Sequence, residues 1–111
     1  MDKFNGTDLY ISRQVLREFF AISTNPKFFD EPLTTDEACQ LLSDFSQAFC
    51  VLDDAQIPLL NSLLTKYQIN KQKVHDTNLV ATMIQSGISN LYTFNIKDFK
   101  LFTEINLLKP D

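Results

Sequence analysis

The sequence predicts an α/β fold with a central parallel sheet flanked by helices, and three observations lead there. Amphipathic stretches at helical spacing alternate along the chain with short β-prone runs, the order that places helices on the faces of a parallel sheet. With 2 Gly and 4 Pro in 111 residues, the composition suits helices joined by short connections. A hydrophobic content of 44%, including 10 Phe, supplies one compact core, so a single domain over residues 1–111 is expected.

The first β-prone run is Asp8-Leu9-Tyr10-Ile11, and Ser12 then offers a hydroxyl to the open amides of a helix beginning at Arg13. On that helix Val15, Leu16, Phe19, Phe20 and Ile22 are expected to form the apolar arc, and Asn25-Pro26 to end it. Residues Lys27 to Leu33 read as a loop. Thr34 and Glu37 have capping-box spacing, ahead of a helix whose stripe is Ala38, Leu41, Leu42, Phe45, Ala48 and Phe49.

Cys50-Val51-Leu52 reads as a brief strand, and Pro58 falls where a first helical turn accepts it, before the stripe Leu59, Leu60, Leu63, Leu64 and Tyr67. After a polar turn from Asn70 to Lys73, Val74-His75-Asp76 leads into a helix at 77–86 carrying Leu79, Val80, Met83 and Ile84. Gly87 is placed to close it in a left-handed conformation. Asn90 to Phe94 reads as a strand, Asn95 to Asp98 as a polar turn, and Ile105 to Leu108 as the last strand.

Composition also bounds function. No apolar run approaches the ~20 residues needed to span a bilayer. The first twenty residues carry Asp2, Lys3, Asp8, Arg13, Arg17 and Glu18, unlike a secretory leader, so a cytoplasmic protein without a membrane partner is expected. Cys39 and Cys50 lack the spacing of a zinc or redox motif and read as reduced packing residues. A formal net charge of −4 argues against a broad basic face for nucleic acid. It is compatible with an acidic site in which divalent ions reverse the local field.

In open parallel sheets ligands gather beyond the carboxyl ends of the strands. Three acids follow predicted strands or open helices there: Glu18, about two turns into the first helix; Asp76, before the helix at 77–86; and Asp98, after the strand ending at Phe94, with Asn95 nearer the strand end. Carboxylates gathered from distant parts of a chain repel unless a cation holds them, and all-oxygen donors of this kind suit Mg²⁺ or Mn²⁺. Each also has an ordinary reading: Asp76 as an N-cap, Glu18 as a solvated partner of Arg13 or Arg17, and Asp98 as a turn residue. His75 reads as a packing or surface residue.

The run Val74-His75-Asp76-Thr77-Asn78-Leu79-Val80-Ala81-Thr82-Met83, continuing through Gly87-Ile88 to Leu91-Tyr92-Thr93-Phe94-Asn95-Ile96-Lys97-Asp98-Phe99, closely resembles the C-terminal half of PIN-domain nucleases of the VapC toxin type. Ile11 to Phe20 resembles the segment that carries the family's second acidic residue. The resemblance implies a three-layer sandwich around a parallel sheet and a Mg²⁺-dependent ribonuclease, commonly the toxin of a toxin–antitoxin pair, that cleaves RNA by metal-activated water. By position it assigns Glu18, Asp76 and Asp98 to the metal site and Asn95 to a nearby place where relatives often carry an acid, with Thr93 as the family's hydroxyl.

Expected partners are RNA, a cognate antitoxin and a second copy of the chain. Family members begin with an apolar strand ending in Asp and then a helix, roughly 20 to 30 residues. The expectation is therefore a domain incomplete at its N-terminus, since neither Asp2 nor Asp8 follows such a strand. The alternative is a non-catalytic, degenerate toxin that acts through protein contacts.

Overall fold

The computed structural model describes residues 9–110, and the chain divides into two compact units, one ending at Asp53 and the other beginning at Asp54. It is a mixed α/β structure, rich in helix, with short parallel strand pairs. Asp2 and Asp8 lie outside the described residues.

In the first unit, β1 (Tyr10–Ser12) runs directly into α1 (Arg13–Ser23). The junction is held as the sequence predicts: the Ser12 hydroxyl accepts from the Val15 amide at 3.1 Å. The helix α2 (Thr35–Ala48) opens on a complete capping box, in which the Glu37 amide donates to Thr34 Oγ1 at 3.1 Å and the Thr34 amide to Glu37 Oε1 at 2.9 Å. Between the helices the Leu33 amide returns to the Ser23 carbonyl at 2.8 Å, fixing the ends of the loop. The strand β2 (Cys50–Leu52) pairs parallel with β1, Tyr10 opposite Cys50 and Ser12 opposite Leu52. Phe45 is stacked edge-on against Phe19 at 5.2 Å, so an aromatic contact ties α2 to α1.

Some packing assignments change. Ile22 is 48% exposed and Ala48 is exposed, whereas Gln14 and Ser23 are buried, so the covered arc of α1 is rotated from the most apolar one. Cys50 is buried as expected but Cys39 is exposed; both are free thiols.

In the second unit, α3 (Ile57–Lys66) has Pro58 in its first turn and packs on α4 (Lys73–Gln85). The core joins Leu63, Val80, Ala81, Met83, Phe99, Phe102 and Ile105, with Leu59, Leu60 and Tyr67 packed against it. Each large apolar side chain buried there contributes about 1.5–3 kcal/mol by leaving water. The helix α4 is covered on more than one face, because Thr77 and Thr82 are also fully buried. Their hydroxyls are satisfied: Thr77 Oγ1 donates to the Lys73 carbonyl at 2.9 Å, and Thr82 Oγ1 accepts from the Ala55 amide at 3.2 Å.

Gly87 ends α4 at φ +73°, with its own amide on the Ile84 carbonyl and the Ile88 amide on Met83, the paired bonds of a Schellman closure. Then β3 (Asn90–Tyr92) pairs parallel with β4 (Asn106–Leu108), connected through α5 (Ile96–Phe99). The residues expected as a polar turn at 95–98 thus begin a short helix instead. Among the described residues the strands form two separate two-stranded sheets, β1 with β2 and β3 with β4. The predicted parallel direction is present in both.

Candidate functional site

Asp76 does not cap its helix. The first turn of α4 begins at Lys73, with Gln72 as an N-cap that makes no side-chain bond, so Asp76 lies inside the turn and not before it. Its carboxylate remains near the positive end of the helix dipole. Thr77, one residue on, anchors the same turn through its bond to the Lys73 carbonyl.

Lys73 organises the surroundings of Asp76. Its ammonium donates to Asp76 Oδ2 at 3.2 Å, across one helical turn, with both side chains only about one-third exposed, 31% and 35%. It also donates to the main-chain carbonyl of Asp98. The same nitrogen stands 5.9 Å from the ring centre of Phe99 and 5.7 Å from that of Phe102, within cation–π range. One cation therefore links the opening of α4 to α5 over an aromatic floor. Asp98 is exposed on α5, its amide bonded to the Asn95 carbonyl at 3.0 Å. Asn95 is exposed as the N-cap residue of α5, and its amide donates to Thr93 Oγ1 at 3.0 Å. Thr93 is itself tied to the strand pair through the Leu108 carbonyl at 3.0 Å.

Glu18 belongs to the first unit. It is exposed on α1, where its Oε1 accepts from Gln14 Nε2 at 3.1 Å; Gln14 is buried, so the amide that orients the carboxylate is itself held by packing. Arg13, considered above as a partner for Glu18, instead binds Asp53 at 2.7 Å. Both members of that pair are well exposed, and its worth is on the order of 1 kcal/mol or less.

Asp76 and Asp98 thus share Lys73 as a neighbour, the former through its carboxylate and the latter through its backbone. The Asp76 carboxylate is thereby already paired with an ammonium. Among the described residues there is no group of three or more His, Cys, Asp or Glu side chains that could hold a metal ion. Lys73 escaped the sequence reading because it fell in a polar turn; the available signal was its spacing of three from Asp76 on a continuous helix.

A second polar cluster lies elsewhere in the same unit. Glu104 accepts from Lys66 Nζ at 2.7 Å and from the Tyr67 hydroxyl at 2.6 Å. Burial pushes the Glu104 carboxyl up, but these two hydrogen bonds, a backbone hydrogen bond and the charge of Lys66 together outweigh it, leaving the group below its ordinary value of 4.5. Hydrogen bonding to Glu104 in turn raises Lys66. No sequence motif marks this cluster, which a 36- to 38-residue separation brings together.

No family model matches the chain, and no curated protein matches it.

Proposed function

We propose that the chain is a PIN-type ribonuclease of the VapC toxin kind, hydrolysing RNA phosphodiesters with Mg²⁺ or Mn²⁺; the residues that the resemblance assigns to the metal are Glu18 in the first unit and Asp76, Asp98 and Asn95 in the second. The observation that supports this reading is that the segments carrying Asp76 and Asp98 lie together, both bonded to Lys73, Asp76 through its carboxylate and Asp98 through its backbone carbonyl. The strand-bearing α/β architecture and the parallel direction of both strand pairs also support it.

A divalent ion, when bound, supplies a water of lowered pKa and offsets charge building on the phosphate. The protein's own part is to hold and orient. Packing of Thr77 and Val80 fixes the turn that carries Asp76, and the Thr93–Asn95 hydrogen bond fixes the approach to α5. Gln14 fixes the rotamer of Glu18. The wider reading is a three-layer sandwich around a central parallel sheet, a cytoplasmic setting, and RNA, an antitoxin and a second copy of the chain as partners.

Asp76→Asn tests the assignment. It is expected to lower Mg²⁺-dependent RNA cleavage by at least about 100-fold, a barrier change of about 2.7 kcal/mol, with the fold retained by circular dichroism at the assay temperature. Undiminished cleavage by the folded variant refutes the role of Asp76.

A second reading, a non-catalytic toxin relative that works through protein contacts, is favoured by one observation: the Lys73 ammonium already pairs with the Asp76 carboxylate. It predicts that the wild-type chain fails to cleave RNA at any Mg²⁺ or Mn²⁺ concentration.

A further inference from the structure

We propose that the outward face of the β3–β4 pair is a stacking platform for single-stranded RNA, on which Tyr92 and Phe94 receive bases. The choice of RNA rests on the function proposed above, but none of the residues assigned to metal takes part. Alternation along a strand separates its two faces. Leu91 and Leu107 pack against the core, so Asn90, Tyr92 and Phe94 turn the other way, with Asn106 opposite Asn90 and Leu108 opposite Tyr92. The pairing continues past Tyr92, since the Thr93 amide donates to the Leu108 carbonyl at 3.0 Å.

Parallel strands ordinarily have both faces covered. Here Tyr92 is 63% and Phe94 75% exposed, two large rings on one side of an extended segment. Their Cα spacing of about 6.6 Å is close to twice the 3.4 Å rise per nucleotide of a stacked strand, so each ring meets a different base. The surroundings are polar and basic. The Asn106 amide donates to Asn90 Oδ1 at 3.1 Å, an amide pair beside the rings. In a chain of formal net charge −4, residues 90–109 carry exposed Lys97, Lys100 and Lys109 against Asp98 and Glu104, and Glu104 is already paired with Lys66. Rings for bases, amides for base edges and ammonium groups for phosphates are the elements of single-strand recognition. A duplex keeps its bases stacked on one another, so the platform selects single strands.

Fluorescence anisotropy of a labelled single-stranded RNA of about twelve nucleotides, titrated with the full chain in EDTA at low salt, tests this. Tyr92→Ala and Phe94→Ala should each weaken binding roughly tenfold with the circular dichroism spectrum retained, whereas Tyr92→Phe and Ile57→Ala, an exposed position on α3, should leave it unchanged. Added KCl should weaken binding, and a blunt RNA duplex should bind at least about tenfold less tightly. A second readout needs no variant: ultraviolet cross-linking of wild type to the same RNA, read by mass spectrometry, should place base adducts on the peptide bearing Tyr92 and Phe94.

Undiminished binding by both alanine variants, equal affinity for duplex, or cross-links confined to other peptides overturns the platform. So does a wild-type chain that binds no RNA, including one that instead dimerises through this face and becomes monomeric in Tyr92→Ala. Because EDTA stops any metal-dependent step, binding that follows these variants without cleavage when Mg²⁺ is restored upholds the platform and overturns the nuclease reading. Cleavage at subsaturating RNA that both alanine variants retain in full overturns the platform alone.

Discussion

Replacing Phe102 by alanine strikes the second unit where it is least able to adjust. The side chain is 2% exposed, meets Tyr67 edge-on at 5.2 Å and 80°, and lies 6.4 Å from Phe99. Burial of an aromatic ring, together with the cavity its removal leaves, sets a cost of about 3–5 kcal/mol. The contact with Tyr67 places the value toward the upper part of that range, since edge-on pairs add about 0.5–1.5 kcal/mol beyond area. Urea unfolding followed by tyrosine fluorescence and far-ultraviolet circular dichroism reads this directly. With a slope of about 2 kcal/mol per molar urea, a loss of about 4 kcal/mol lowers the midpoint by roughly 2 M. Phe94, 75% exposed, provides the control, and its alanine variant should remain within about 0.5 kcal/mol of wild type. A Phe102→Ala cost below about 1 kcal/mol, or equal costs at the two positions, would show that the described core does not carry the stability assigned to it.

Two further outcomes follow from local features. Thr34→Ala removes the side-chain acceptor of the capping box and should cost about 1 kcal/mol in thermal unfolding, with most of the loss recovered by Thr34→Ser; a neutral alanine variant would contradict a stabilising cap. Glu104 has a folded-state value below its ordinary 4.5, so its contribution is present above that value and fades as pH falls through the depressed one. Glu104→Gln should therefore flatten the acid-side fall in melting temperature, and an identical pH profile in the variant would remove Glu104 from the account.

The elements that were legible in the sequence are those set by local chemistry. Ser12, the Thr34–Glu37 box, Pro58 and Gly87 each act through atoms within a few residues, and each does in the structure what its position predicts. Burial was less legible because it depends on what lies opposite. Ile22 and Ala48 continue an apolar period yet face outward, while Gln14, Thr77 and Thr82 are covered. The two threonines escape notice for a specific reason: their hydroxyls are satisfied by backbone groups, so polar side chains enter the interior without an unpaired atom.

The candidate site divides the same way. Asp76 and Asp98 stand out by position, but the helix expected from residue 77 begins four residues earlier, at Lys73. Gln72 caps weakly, so the usual start signal fell on Asp76. That shift concealed Lys73, which became visible only as the first residue of the same helical turn. Pairing among strands was beyond local reading altogether, because alternation and β-propensity identify a strand without naming its neighbour.

A sheet of two strands has no interior member. Each of β1 to β4 is a border strand, with a single strand neighbour among the described residues. At three residues apiece, well under the usual five or six, these borders present only a brief row of backbone groups, so the liability to join another chain edge to edge is limited by their length.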